Sequence, residues 1–486
     1  MTRASTPAIV GLVLITFARI GLTVSCGDPE VAATMGDADA GDDNAVDGAT
    51  RDAVDGSAMS DDATVDAATD AAAAHPVVVA GTTHTCSLLR HGVVKCWGDN
   101  RFGRLGLGKI DSYVSSPKTL GADFPPVVLG AGRVATQIAV GYGHACAVLD
   151  GGKLKCWGEN FSGELGIGER LERGSKIEHM GANLPEVDLG EGRSVRQVAA
   201  GSESTCAILD DGSVKCWGRN DVGQLGLGDT RPRGRAPEDM GANLPPVDLG
   251  PGRIARSISL GVRHACAVLD DASVKCWGAN MIGQLGLGDV VDRGTAPEHM
   301  GANLPRVDLG PGRTARAVAA GDGHTCALLD DATVKCWGNN VRGALGLGDT
   351  KIRGGLSGEM GANLPAVRLD RPARYVGSGR FFSCALLDDG AVKCWGDNKS
   401  GQLGLGDTSP RGDQPAETSF ASVDLGPGRF ARQLSVGHEY VCASLDDRTI
   451  KCWGYNGYYN LGIADRANRG DMPGEMGTEL FGLRLE

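Results

Sequence analysis

Aromatic side chains are scarce in this 486-residue chain, at 5%. Aromatic rings are too few to fill the core of a chain this long, so stability must draw on other sources as well. Helical periodicity is missing too: residues 317–371, taken as a sample, show no run with the three-to-four spacing of an amphipathic helix. A basic excess is also absent. The formal net charge is −12, and residues 27–75 account for it, with thirteen acidic residues against Arg51. From residue 76 onward the chain is close to neutral, without the cationic footprint of a nucleic-acid binder.

What the chain does have is repetition. Cysteines recur in pairs ten residues apart: Cys86 with Cys96, Cys146 with Cys156, Cys206 with Cys216, Cys266 with Cys276, Cys326 with Cys336, Cys384 with Cys394, and Cys442 with Cys452. The step between pairs is 60 residues four times and then 58 twice, and the pairs use fourteen of the fifteen cysteines. Every tryptophan of the protein follows the second cysteine of a pair: Trp97, Trp157, Trp217, Trp277, Trp337, Trp395 and Trp453. A fixed period of this length marks one repeat array, here residues 76–486, in place of two or three independent domains.

Two segments of different composition precede the array. Residues 1–26 place Arg3 ahead of an apolar run over residues 8–18 and end in "LTVSC", which reads as a secretory signal peptide. The run is shorter than the about 20 residues that span a membrane. The same ending is similar to a bacterial lipobox, with Thr23 where Leu is usual, so Cys26 is either a lipid attachment point or an ordinary thiol. Residues 27–75 are Asp, Ala, Gly, Ser and Thr with hardly a large apolar group, the composition of a disordered, self-repelling tether.

Within one repeat, "AVAAG", "HTCALLD", "TVKCWG" and "AVRLD" are short runs bounded by Gly, Asp and Asn. Four such strands per 60 residues predict an all-β fold, a seven-bladed β-propeller of four-stranded blades. In "CALLDDATVKC" the cysteines are equidistant from Asp331, so a hairpin turning there sets them face to face, with Leu328 opposite Val334. Seven disulfide clips are expected on that geometry. Neither the close spacing of zinc ligands nor a C-x-x-C redox motif is present. Each tryptophan is expected to wedge between blades with its indole N–H on a main-chain acceptor.

Other recurring residues read as structural. An asparagine two places after each Trp-Gly (Asn100, Asn160, Asn220, Asn280, Asn340, Asn398 and Asn456) suits a turn, with a polar channel lining as the alternative. The position two before each first cysteine holds His84, His144, His264 and His324, but also Ser204, Phe382 and Tyr440, a mixture no ring of metal ligands would accept. Doubled acids such as Asp210-Asp211 and Asp446-Asp447 fall in the hairpin turn. No catalytic group, cofactor or metal set emerges. Two ways of closing the ring are open, and the favoured one has residues 76–81 complete the last blade beside "FGLRLE", which would fasten the chain ends together.

The stretch "GVRHACAVLDDASVKCWGANMIGQLGLGD", residues 261–289, resembles the regulator of chromosome condensation type of repeat, in which G-x-x-H-[TS]-x-A-L precedes G-x-V-x-x-W-G-x-N-x-x-G-Q-L-G. The resemblance repeats seven times and implies that family's seven-bladed propeller. Its members include a nuclear exchange factor for a small GTPase, a plant ultraviolet photoreceptor and a secreted inhibitor of β-lactamases. Val262 stands where the photoreceptor pattern has tryptophan, which removes the chromophore logic, and the cysteine pairs fit an exported bacterial branch. The resulting expectation is a non-enzymatic, monomeric scaffold that is secreted or held at the outer membrane or cell surface, binding a protein or glycan. A lipid on Cys26 would be its one link to a membrane. The loops after "GLGD", such as "TRPRGRAPEDM", vary most between copies and suit recognition. The alternative is a glycan-processing enzyme, because "LDDGSVKCW" loosely resembles the Asp-box turn of sialidase propellers.

Overall fold

Ala315–Ala320, His324–Leu329 and Val334–Gly338 show how one repeat folds: an inner, a middle and an outer strand in antiparallel order. The computed structural model describes residues 75–110, 121–417 and 419–486. Over that range the same unit recurs seven times, as seven separate sheets. All six residues of the middle strand are buried, so after its leading histidine "HTCALL" is apolar or small and does not alternate. The reason is positional: a strand packed on both faces has no solvent side to which it can turn polar residues.

The fourth strand of each blade is much shorter than the sequence suggests. Among the described residues only the last blade has one, the two-residue pair Gly482–Leu483. Elsewhere the segment is held to the outer strand mainly by one main-chain bond, as from Val247 N–H to the Val214 carbonyl at 2.7 Å or from Val307 to Val274 at 2.8 Å. A proline lies one or two residues ahead of the paired valine in five copies (Pro126, Pro185, Pro246, Pro305 and Pro365) and withholds an N–H from the ladder.

Ring closure also differs from expectation. Val77–Ala80 does not complete the last blade; it pairs with His84–Leu88, with Val79 opposite Cys86, as the inner strand of its own blade. The C-terminal segment supplies the last blade's outermost strand itself and leaves no vacancy there. The blades are therefore self-contained, and the chain ends are joined by side chains. Lys95 Nζ donates to the Leu485 carbonyl at 2.9 Å, Arg90 Nε to Glu486 at 2.8 Å, and Val78 and Gln433 exchange two bonds of 2.9 and 3.1 Å.

Seven glycines close the inner ring: Gly81, Gly141, Gly201, Gly261, Gly321, Gly379 and Gly437. A Cβ on any one would lie 2.3–2.8 Å from the carbonyl oxygen of the next, and Gly437 would meet Gly81. Only a residue without a side chain permits that approach.

Candidate binding face

The repeated residues hold the blades in place. Each cysteine pair is bonded within its own hairpin, with Cα atoms 4.0–4.1 Å apart: Cys86 to Cys96, Cys146 to Cys156, Cys206 to Cys216, Cys266 to Cys276, Cys326 to Cys336, Cys384 to Cys394, and Cys442 to Cys452. The register explains this, because the two cysteines of every pair stand directly opposite each other on the middle and outer strands, as Cys156 does to Cys146, Cys276 to Cys266, Cys336 to Cys326 and Cys394 to Cys384. Each tryptophan is fully buried. Its N–H donates to a carbonyl of the preceding blade: Trp157 to Arg104 at 3.1 Å, Trp217 to Glu164 at 3.0 Å, and Trp97 to Asn460 at 3.0 Å across the seam. The asparagines clamp turns and do not line the channel. Asn280 Oδ1 accepts the Leu285 N–H at 3.0 Å, and its Nδ2 donates to the Asp289 carbonyl at 2.8 Å.

Sequence reasoning passed over a fourth repeated group, the lysine before each second cysteine. Lys275 Nζ donates to the Leu249 carbonyl at 2.9 Å and the Gly301 carbonyl at 2.8 Å, tying two neighbouring blades together, and burial lowers its pKa. Lys155, Lys215, Lys335 and Lys451 repeat the arrangement. The signal was present as an unbroken K-C-W-G in all seven copies.

The mixed position ahead of the first cysteine mostly follows its neighbour in the next blade. His144, His264 and His324 each place Nε2 at 2.8–2.9 Å from a hydroxyl there, on Thr205, Thr325 and Ser383. Burial pulls their pKa values down to about 4, 3 and 4, which keeps the rings neutral. Tyr440 meets Thr85 at 2.7 Å. Phe382 faces the apolar Val441, whereas His84 and Ser204 face Ala145 and Ala265 and do not follow the rule. The doubled acids cap the hairpin and bind an arginine: Asp210 accepts the Ser194 N–H at 3.2 Å and pairs with Arg193 at 2.9 Å.

The central channel is lined largely by main chain around the glycine ring and encloses about 210 Å³. That is below the usual range of small-molecule sites, about 300 to 1,000 Å³. At its rim His438 Nε2 lies 3.0 Å from Asp322, and Arg380 pairs with Glu439 at 2.7 Å. Among the described residues no group of three or more His, Cys, Asp or Glu is placed to hold a metal.

The loops after "GLGD" are partly structural. Six of them carry an Arg-Gly whose arginine bridges back to the outer strand, as Arg233 does to Gly218. The glycine packs under the preceding blade's Asn turn: a Cβ on Gly103 would sit 2.1 Å from Gly174. Blade one, whose loop begins at Lys109, has no Arg-Gly in its sequence. Correspondingly, the turn that would receive it, in blade seven, holds Tyr459 where the other six blades have Gly103, Gly163, Gly223, Gly283, Gly343 and Gly401. Tyr459 keeps the left-handed conformation, with φ of 59°, which a bulky residue adopts only under constraint.

That turn belongs to an arc of aromatics on the glycine-ring face, across blades seven, one and two. Phe102 and Phe161 meet edge to face at 5.2 Å, Tyr455 and Tyr458 at 5.9 Å. Arginines lie over the rings: Arg101 on Tyr458 at 5.5 Å, Arg104 on Phe102 at 5.9 Å and Arg466 on Tyr459 at 5.0 Å. Phe102 and Phe161 are 39% and 51% exposed, a large apolar display for so aromatic-poor a chain. Beneath them Arg104 is buried between Asp99 and Glu159, ion-paired to both, which fixes blade one against blade two. The matching turns of blades three to six, at Asp221, Met281, Val341 and Lys399, contain no aromatic residue.

Cys26, the signal segment 1–26 and all of the acidic segment 27–75 except His75 lie outside the described residues. Two family models match the chain, an RCC1-like domain over residues 33–353 and a regulator of chromosome condensation (RCC1) repeat over residues 374–402. The chain is 28% identical over 396 residues to the ultraviolet-B receptor UVR8 of Arabidopsis thaliana, covering 81% of this chain and 80% of that protein. It is 28% identical over 398 residues to the mouse secretion-regulating guanine nucleotide exchange factor, covering 77% of each. Among solved structures, yeast RCC1 (Prp20) bound to Kap60 superposes with a TM-score of 0.61 at 18% identity, over 83% of this chain and 86% of that one. That likeness concerns the fold.

Proposed function

We propose that this chain, which belongs to the RCC1-like domain family, is a non-catalytic scaffold that binds a protein partner on its glycine-ring face. The observation that carries the reading is the aromatic and arginine arc at blades seven, one and two. The exposed Phe102 and Phe161 and the half-buried tyrosines beside arginines are of the residue types enriched at protein interfaces, where Tyr and Arg often dominate the binding energy. Here the buried Arg104 ion pairs hold two of them in place, so little ordering entropy is lost on binding.

Other features support the same reading. The recurrent histidines are neutral and hydrogen-bonded to hydroxyls or buried, and the doubled acids already serve arginines and turn N–H groups. The "LDDGSVKCW" turn uses Asp211 to accept the Ser213 N–H at 2.9 Å, a structural task. Of the similar proteins, UVR8 is an ultraviolet-B receptor, and yeast RCC1 (Prp20), alike in fold, is bound to the protein Kap60 in its solved structure. Seven disulfides suit an oxidising compartment, so we place the protein outside the cytoplasm, released or anchored through Cys26.

The test is affinity capture from the envelope of the source organism with the full chain and with its F102S/F161S/Y458S variant. The variant is expected to lose the partner at least tenfold while melting as the parent does. Equal capture by both would overturn the assignment of the face.

A further inference from the structure

The turn that carries Phe161 ends in a carboxylic acid where no other blade has one. Glu164 stands in the place of Gln224, Gln284 and Gln402, and of Arg104, Ala344 and Asn460 in blades one, five and seven. A glutamine there works at both ends. Gln224 Oε1 accepts the Val222 N–H at 3.0 Å while its Nε2 donates to Asp221 at 3.1 Å, and Gln402 repeats this with Ser400 at 2.9 Å and Asp397 at 3.4 Å. Glu164 keeps the first contact, accepting the Ser162 N–H at 2.7 Å. It can supply the second, a bond donated to a neighbouring acid, only while it is protonated.

Its surroundings give that proton a consequence. Glu164 is buried, and two carboxylates face it: Glu159 from the start of its own turn, and Glu203 from blade three, which accepts the Ser162 hydroxyl at 2.8 Å. The nearby cations are committed elsewhere. Arg104 is paired with Asp99 and Glu159, and Arg219 with Glu203 at 3.2 Å and Asp221 at 2.8 Å. Arg235 donates to the Ser162 carbonyl at 3.2 Å and Arg170 to the Phe161 carbonyl at 3.0 Å. His144 is neutral and meets Thr205, whose hydroxyl donates to the Glu164 carbonyl at 2.8 Å. Burial pushes the Glu164 pKa up to about 7, with the Ser162 N–H opposing and Glu203 and Glu159 adding repulsion. Phe161 lies between these groups in sequence and meets Phe102 edge to face at 5.2 Å. A shift of Ser162 and Glu164 therefore moves its ring.

We infer, resting on the reading of this face as a protein-binding one, that Glu164 is a proton switch for the aromatic arc. Protonated, it joins Glu159, Ser162 and Glu203 in one hydrogen-bonded set that holds Phe161 against Phe102. Ionised, it is driven toward water by burial and by its two acidic neighbours, and the turn loosens. The arc is then assembled in mild acid and slack in mild alkali, and the partner is held more tightly in the former.

Hydrogen exchange of the full chain at about pH 6 and about pH 8, corrected for the intrinsic pH dependence of exchange, tests the switch without the partner. Protection at residues 161–165 is expected to fall about tenfold relative to residues 221–225, where Gln224 holds the same place. E164Q is expected to keep its protection at both values. E203Q removes one repelling charge and is expected to move the loss of protection about half a pH unit lower. A parent whose protection ratio is the same at both values would overturn the inference, as would a fall that persists in E164Q. Affinity capture at the same two values is the second arm: several-fold more partner is expected at the lower pH for the parent, and equal amounts for E164Q. A turn that responds to pH with capture that does not would overturn the link between the switch and the arc. Absence of any captured partner would count against the binding reading alone, with the exchange result still deciding the switch.

Discussion

The Asn turn of blade four and that of blade one occupy the same place and do different things. At Asn280 the turn leads through Met281 and Ile282 to Gly283, which lets the next loop pack beneath it, and Gln284 Oε1 accepts the Ile282 N–H at 3.1 Å. At Asn100 the clamp is unchanged, yet Phe102 is turned outward and Arg104 replaces the glutamine in a buried ion-pair cluster. The comparison separates two kinds of residue. Of the residues common to all seven copies, the tryptophan and the lysine bond one blade to the next while the cysteines and the asparagine fix each blade's own hairpin and turn, whereas the aromatic departures within the Asn turns gather at blades seven, one and two.

The comparison breaks most visibly if a common residue proves dispensable. Trp217 is fully buried between blades and donates to Glu164, so Trp217→Ala is expected to cost about 3 to 5 kcal/mol in thermal or denaturant melts. Phe102→Ser, by contrast, is expected to shift stability by less than about 1 kcal/mol. Next in size is the clip. Cys206→Ala with Cys216→Ala opens a ten-residue link and is expected to lower stability by about 2 to 3 kcal/mol. A loss near zero would mean the strands need no covalent closure.

Glu164 sharpens the contrast through pH. It stands where Gln224, Gln284 and Gln402 stand in other blades, and burial, with Glu203 and Glu159 adding repulsion, pushes its pKa up to about 7. An acid whose folded pKa lies above its unfolded value holds more protons when folded. Stability therefore falls as pH rises from about 4.5 to about 7 and stays reduced above that. Glu164→Gln is expected to remove this slope and to raise stability at pH 8 by about 2 kcal/mol, read as parallel melts across pH. A variant with the parent's pH profile would contradict the assignment.

The smallest effect is at Tyr459. Tyr459→Gly relieves a left-handed backbone but gives up the Arg466 contact, so stability is expected to change by no more than about 1 kcal/mol. Partner binding is expected to weaken several-fold. An unchanged affinity would confine the arc to blades one and two.

Residues that recur were legible in the sequence for physical reasons. The cysteine offset and the tryptophan after it follow from hairpin register, and both fold class and blade number come from that repeat. The closure phase was not legible, because residues 76–81 fit the strand pattern of either phase; only the pairing of Val79 with Cys86 decides. The lysine clamp escaped notice because a lysine in a strand reads as solvent-facing, while here its Nζ finds two carbonyls of adjacent blades. The arc was hidden among turn residues. Aligning the seven N-x-x-G turns would have brought Phe102, Phe161 and Tyr458 together, but their joining across the seam needs the closed ring.

The most direct test of the central claim, that departures from the repeat carry the binding, is hydrogen exchange of the full chain with and without the captured partner. Protection is predicted at residues 99–106, 159–165 and 455–461, with the hairpin turns at 210–213 and 270–273 unchanged. Protection spread evenly over all seven Asn turns, or confined to the hairpin face, would contradict it.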